Sequence, residues 1–277
     1  MSHVDFFEWW RGREAMFAAK SARGTLVGER YFWEQRAATY DEVGSLARAA
    51  PTVVQHVVNL VPPGATVLEI GPGTGEFTLP VARVAERVTA IDLSAHMLKE
   101  MRRKLYAEGI ANVTSIVAEW EDADVSPHDI VLSINSLYRL WHPRAALSKM
   151  VECATRRGII VVSVGANPAP PPDAMQQFGA ERYRKGSNHG LLVAGLGLLG
   201  VMARVEILDV PRTYRFPSID AAAMICLPSE DRSESDWEIA RSIVEQSMEL
   251  EPDGHVTHQY DGQVAVIIWE ASEATNR

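Results

Sequence analysis

The chain has 277 residues, 47% hydrophobic and 23% charged; this is a globular composition, which excludes wholesale disorder and lets a core form without disulfide or metal staples. Lys and Arg number 27 against 36 Asp and Glu, a formal charge of −9, and residues 228–254 hold nine acids against two arginines, so the balance argues against a nucleic-acid partner. Cys153 and Cys226 form no CxxC pair, no apolar signal segment opens the sequence, and the longest apolar run, 191–203, is shorter than the ~20 residues that span a bilayer, so a cytoplasmic protein with no membrane partner is expected.

Residues 1–60 read as a helical cap or lid rich in aromatics, among them Phe6, Phe7, Trp9, Trp10, Trp33 and Tyr40, and the cap ends at Pro62-Pro63-Gly64. Residues 61–277 read as the main domain, with an insertion around 166–255. Apolar, β-rich runs predict strands at Thr66–Ile70, Val88–Ile91, Val113–Val117, Ile130–Ile134 and Ile159–Val164. Helices are predicted between them: one after a glycine-rich turn, one capped by Ser94 and stopped at Gly109, and one over Pro143–Thr155. This alternation implies βαβ units, and the near-continuous apolar strands imply a parallel sheet covered on both faces.

Four prolines in Asn167–Asp173 predict a loop, followed by a polar helix over 174–189. Further on, the pattern predicts a helix at Leu191–Leu199 ended by Gly200 and a strand at Arg204–Val210. A helix over 233–250 is capped by Ser233, with Trp237, Ala240, Ile243 and Val244 inward, and the last strand is Gln263–Trp269.

The most informative stretch is Val67-Leu68-Glu69-Ile70-Gly71-Pro72-Gly73-Thr74-Gly75, where a strand turns on glycines into a helix. Glycines let backbone approach a ligand, and a helix N-terminus supplies donors. The spacing is GxGxG rather than the dinucleotide GxGxxG, and position 76 is glutamate. Glu69 stands two residues before the first glycine, where a carboxylate repels a pyrophosphate and suits a cation. Asp92, 17 residues after Gly75 at the end of the second strand, is placed to accept from ribose hydroxyls.

Glu69-x-Gly71-x-Gly73-x-Gly75 followed by Ile91-Asp92-Leu93-Ser94 resembles the signature of class I S-adenosylmethionine-dependent methyltransferases, over about residues 31–165. The resemblance implies an α/β, Rossmann-like fold with a seven-stranded, mostly parallel sheet and helices on both faces. It implies S-adenosyl-L-methionine as cofactor and S-adenosyl-L-homocysteine as product. Glu69, Gly71, Pro72 and Gly73 would lie against the methionine part, Asp92 on the ribose and Leu93 beside the adenine. Glu119, where the family more often has Asp, would meet the adenine amino group, and Trp120 would stack on the ring. Asn135 would sit at the edge between cofactor and acceptor, and Tyr40, in Trp33-x-x-x-Ala37-x-x-Tyr40-Asp41, would approach the cofactor.

Tyr138 and His142 follow the fourth strand and are candidates for the acceptor pocket, with His142 a candidate general base. The histidines show no metal-ligand spacing and read as surface residues. The family's Asn/Asp-Pro-Pro-Tyr signature for amino-group methylation is absent, since Ser136-Leu137 follow Asn135. The expected function is methyl transfer to an O, N, S or C atom of a small-molecule acceptor, with homodimerisation open. The alternative is a cofactor-binding regulatory or interaction protein of the same fold that transfers nothing.

Overall fold

Thr66–Ile70 forms β1, the axis of the sheet, and all but its first residue are buried. The computed structural model describes residues 5–18, 24–38, 40–43, 46, 50–137, 140–165, 170–179, 189–227 and 233–271. Parallel β2 (Arg87–Asp92) lies on one side of β1 and parallel β4 (His128–Ile134) on the other. Parallel β3 (Val113–Val117) extends the first side and β5 (Ala154–Val164) the second. With β6 (Arg204–Phe216) and β8 (Val256–Glu270) the order is β3-β2-β1-β4-β5-β8-β6, and β7 (Glu249–Leu250) pairs antiparallel with β8. The sheet therefore has eight strands where seven were expected. Because the chain moves outward from β1 in both directions, a crevice opens beyond the carboxyl ends of β1 and β4, the place where open α/β sheets bind ligands.

The starting ends of β1 and β4 are joined by side chains. Asp129 Oδ2 accepts from the Thr66 amide (2.8 Å) and hydroxyl (3.0 Å), while Thr66 Oγ1 accepts from the Asp129 amide (2.9 Å). His128 is buried rather than at the surface as expected, its ring nitrogens paired with Thr89 Oγ1 and the Ser126 carbonyl. Burial lowers its pKa by disfavouring the imidazolium.

The chain divides into two compact units. The first comprises Met1–Val162, His189–Glu206 and Ala265–Arg277; the second comprises Ser163–Asn188 and Ile207–Val264. In the first, helices α1 (Phe6–Ala18), α2 (Leu26–Arg36), α3 (Tyr40–Val43) and α4 (Pro51–Leu60) precede the sheet. Helices α5 (Thr78–Ala82), α6 (Ala95–Ala107) and α7 (Pro143–Cys153) connect its strands, and α9 (His189–Leu198) follows. Ser94 caps α6 by accepting from the Met97 amide, and Gly109 takes the left-handed conformation beyond its end. Two of the N-terminal aromatics are core residues: Phe7 and Trp10 of α1 meet Leu147 of α7 at Gly195 of α9, where a Cβ would find them at 2.7–3.4 Å, while Trp9 is exposed.

In the second unit the buried set is Ala174, Phe216, Ala222, Ala223, Cys226, Leu227, Ala240, Ile243, Val244 and Val256. It gathers α8 (Pro172–Phe178), α10 (Ile219–Cys226) and α11 (Glu234–Ser247) with residues of β6 and β8. The proline-rich stretch is helical from Pro172, because proline at a first helical position lacks only an amide that would be unpaired there anyway. Most of the polar helix expected over 174–189 lies outside the described residues. β6 and β8 run longer than the apolar runs predicted. Their extensions alternate buried and exposed positions, and Arg212 and His258 occupy buried ones, so a hydrophobicity criterion stops short. Among the described residues no helix is long and apolar enough to cross a membrane.

Two substitutions test these packings. A Cβ on Gly158 would lie 1.9 Å from Trp269 Cζ2, so Gly158→Ala is expected to destabilise the first unit by about 1–3 kcal/mol in urea titration. Ser233 and Asp236 form a reciprocal capping box on α11; Ser233→Ala is expected to cost about 1 kcal/mol, read from the second unit's melting.

Candidate active site

The loops at the carboxyl ends of β1–β4, together with α2 and α3, enclose a cleft of about 1180 Å³, counting its mouth open to solvent. The three glycines of the first loop serve three purposes. All have positive φ (68°, 58° and 85° for Gly71, Gly73 and Gly75), the region side-chain-bearing residues avoid. A Cβ on Gly71 would strike Ser136 Cβ at 2.3 Å, and on Gly75 Met101 Cγ at 2.5 Å. These two glycines make room for the protein itself. A Cβ on Gly73 would meet nothing within 4 Å, so this backbone is the part of the loop with space beside it for a ligand.

Asp92 holds the loop in place. Its Oδ2 accepts from the Gly73 amide (3.0 Å) and its Oδ1 from the Ser94 amide (2.8 Å). Burial pushes the Asp92 carboxyl up to about 6, against the opposing effect of those two amides. Glu69 is 2% exposed and accepts from Thr78 Oγ1 at 2.6 Å. Burial pushes it up to about 7; the Thr78 bond opposes this and the Asp92 charge adds to it. Two carboxylates desolvated beside each other form a site that a cation would satisfy.

After β3, Lys149 of α7 donates to the carbonyls of Trp120, Glu121 and Ala123 and so fixes that loop. Trp120 donates its indole N–H to the Ala146 carbonyl (3.0 Å), lies beneath the Lys149 ammonium and is 6% exposed. It is a packed wall with little ring surface to offer for stacking. Burial, then the charges of Asp122 and Glu121, raises the Glu119 pKa. After β4, Asn135 has φ 49°, and its amide donates to the Val161 carbonyl. Ser136 Oγ donates to the Ile70 carbonyl at 2.7 Å, tying this loop to the end of β1.

The remaining wall comes from the N-terminal helices. Leu26, Glu29 and Trp33 of α2 and Tyr40 of α3 line the cleft. Glu29 is 4% exposed and accepts from the Trp33 indole at 2.8 Å, and Trp33 meets Tyr40 edge to face. Asp41, beside Tyr40, accepts from Thr74 Oγ1 and pairs with Lys104, linking α3 to the glycine loop and to α6.

Ten sequence-predicted residues therefore line one cleft: Tyr40, Glu69, Gly71, Pro72, Gly73, Asp92, Leu93, Glu119, Trp120 and Asn135. His142 is exposed where α7 begins; it is not among the lining residues but follows Trp141, which is, and is near enough to Glu119 to act on its carboxyl. Tyr138 lies outside the described residues. Sequence reasoning did not assign Glu29 or Glu76 to the site. The Leu26, Glu29, Trp33 spacing of three and four is one helix face and was the available signal for the first. Among the described lining residues there are six carboxylates (Glu29, Glu69, Glu76, Asp92, Glu119, Glu121) and no Lys, Arg or His.

Residues 67–158 match the family model of a methyltransferase domain. A probable ribosomal RNA small subunit methyltransferase A from Pyrobaculum aerophilum is 35% identical over 117 residues, 38% of this chain and 49% of that protein. A protein-L-isoaspartate O-methyltransferase from a Ruegeria species is 30% identical over 111 residues, 39% of this chain and 49% of that one. The chain spans about half or less of the curated relatives it matches. The YcgJ protein of Bacillus subtilis superposes with a TM-score of 0.56 at 14% identity, covering 79% of this chain and 97% of that one. The N-methyltransferase NodS of Bradyrhizobium japonicum, solved with S-adenosyl-L-homocysteine, superposes with 0.51 at 13% identity, covering 87% and 97%. One expectation is overturned. Relatives named as ribosomal RNA methyltransferases remove the exclusion of a nucleic-acid partner, because the net charge of a whole chain does not decide what a single catalytic cleft accepts.

The buried carboxylates make stability depend on pH. Glu69 and Asp92 stand at about 7 and 6 against ordinary values of 4.5 and 3.8. Between those limits the folded state holds protons that the unfolded chain has lost. Stability is therefore expected to fall as pH rises from about 4 to about 7, by roughly 3 kcal/mol per carboxylate at 1.36 kcal/mol per pH unit. Glu69→Gln and Asp92→Asn should each flatten the slope of urea midpoint against pH across that window.

Proposed function

We propose that the protein, whose residues 67–158 match a methyltransferase domain, transfers a methyl group from S-adenosylmethionine to a small-molecule acceptor. The observation that carries this reading is a pair of carboxylates, Glu69 buried and Asp92 half-buried, on either side of a glycine loop with open space at Gly73. The residues fit the cofactor. It brings an ammonium and a sulfonium into a cleft whose described lining holds no other cation. Bound there, it supplies an activated methyl group.

In this proposal Glu69 and the Gly71–Gly73 backbone hold the methionine end. Asp92, once turned partly from its amide partners, holds the ribose, and Leu93 and Glu119 flank the adenine. The chain's contribution is then positioning and exclusion of water: Trp33, Tyr40, Leu46, Leu137 and Leu140 narrow the cleft. Two buried free cysteines agree with a reducing, cytoplasmic setting.

A second reading, methylation of an amino group on RNA, is favoured by the names of several relatives. Asn135 and Tyr138 also stand at the first and fourth positions of the amino-methylation signature, with Ser136-Leu137 in place of its prolines. Radiolabel from methyl-tritiated cofactor, followed into small molecules and into small-subunit ribosomal RNA in parallel, separates the two.

Calorimetric titration tests the shared premise. S-adenosylmethionine and S-adenosylhomocysteine are expected to bind at micromolar concentrations and NADH not at all, and Asp92→Ala should weaken both sulfur ligands about 10- to 100-fold, the value of a hydrogen bond to a charged group. Unchanged affinity in the variant would remove Asp92 from the site.

A further inference from the structure

We infer that Asp41 is a positioning residue: it latches the wall built by α2 and α3 onto the glycine loop, and a bound cofactor leaves only when that latch opens. The inference rests on the proposed methyltransferase reading and adds to it how the cleft keeps its cofactor.

Two kinds of element enclose the cleft. Gly71, Pro72 and Gly73 line it from the sheet side; Trp33, Tyr40 and Leu46 line it from the helical side. A molecule lying against Gly73 is covered only while the two sides stay joined. Helix α3 has four residues, too few for cooperative helical stability of its own. Its place therefore depends on what its side chains grip.

Asp41 grips two elements at once. Its Oδ1 accepts from Thr74 Oγ1 at 2.5 Å, the short length of a hydroxyl bonded to a charged oxygen. Its Oδ2 pairs with the Lys104 ammonium of α6. Thr74 follows directly on Gly73, the loop glycine with space beside it, and is 1% exposed. Its hydroxyl thus ties the ligand-facing part of the loop to α3. Tyr40 adjoins Asp41 in sequence, lines the cleft and meets Trp33 edge to face, with ring centroids 5.8 Å apart. One series of contacts runs from the loop through Asp41 and Tyr40 to α2.

Neither Asp41 nor Thr74 is among the lining residues, so each acts through the groups it holds. The Asp41 and Lys104 side chains are partly open to water, at 30% and 19% exposure. Water can solvate both charges when the latch parts, which keeps opening affordable to a folded chain. The contacts that fix the strand-end loops run through backbone carbonyls; this one joins side chains alone, and it can release without disturbing the sheet.

The test is stopped-flow tryptophan fluorescence of the full chain with S-adenosylhomocysteine, which reads association and dissociation rates separately. Thr74→Val removes the hydroxyl and keeps the shape. It is expected to raise the dissociation rate about tenfold, the value of one hydrogen bond to a charged group, and to leave association within about twofold. Thr74→Ser restores the hydroxyl and is expected to restore the slow dissociation. Asp41→Ala is expected to speed dissociation at least as much as Thr74→Val, and combining the two adds nothing, because the bond is already gone. Lys104→Met loosens Asp41 from the α6 side and is expected to act in the same direction; with Thr74→Val it carries the test if Asp41→Ala does not fold. Unchanged dissociation in Thr74→Val overturns the inference. Slower association at unchanged dissociation also overturns it, since that marks a misshapen loop rather than a released wall. So do a Thr74→Ser variant that behaves like Thr74→Val and additive effects of the Asp41 and Thr74 changes. Failure of the wild-type chain to bind S-adenosylhomocysteine at all is a different result: it defeats the methyltransferase reading beneath.

Discussion

One carboxylate organises the candidate site. Asp92 ends β2, and its two oxygens take the amides of Gly73 and Ser94. The first bond fastens the loop after β1 to the end of the neighbouring strand. The second sets the turn from which Ser94 caps α6. Gly73 reaches that carboxylate only through its left-handed backbone, so the glycine and the aspartate require each other. The positions of β1, β2 and α6 at the crevice follow from this one group, and its burial among them raises its pKa.

That arrangement sets stability against function. Burying Glu69 beside Asp92 disfavours the charged forms of both, and only Thr78 and two amides offset the loss of water. A purely structural role explains Asp92, which holds two amides, but not Glu69, where a neutral residue would cost less to bury. Retaining both acids makes sense where a cation arrives to take up their charge, because ligand binding then recovers what folding lost.

The legible part of the fold was its local chemistry. β1 and β3 match their predicted bounds because buried parallel strands are short apolar runs, and the caps at Ser94 and Ser233 follow from side-chain hydrogen bonding within three residues. The outer strands were cut short because their buried faces carry Arg212 and His258. In the site, the residues on strand-end loops were readable from motif spacing. Glu29 was not, because an acid on a helix reads as solvated surface until the wall opposite it is known. The reasons for Gly71 and Gly75 were also hidden: the clashes that forbid a side chain there come from Ser136 and Met101, 65 and 26 residues away in sequence. His142 follows the fourth strand closely enough to look catalytic, but it stands at the exposed start of α7.

The two sides of the cleft are held by different means, and this bears on what can vary. The cofactor side is fixed through the backbone: Lys149 grips three carbonyls of the loop after β3, Ser136 grips the end of β1, and Asp129 and Thr66 lock the opposite ends of β1 and β4. Changing a side chain there disturbs the sheet. The α2 and α3 side is fixed through side chains, with Asp41 between Thr74 and Lys104 and Trp33 between Glu29 and Tyr40. Such contacts can be exchanged one residue at a time while the sheet keeps its register. A common cofactor frame with a replaceable side-chain wall explains how one domain type serves acceptors as different as those named for its relatives.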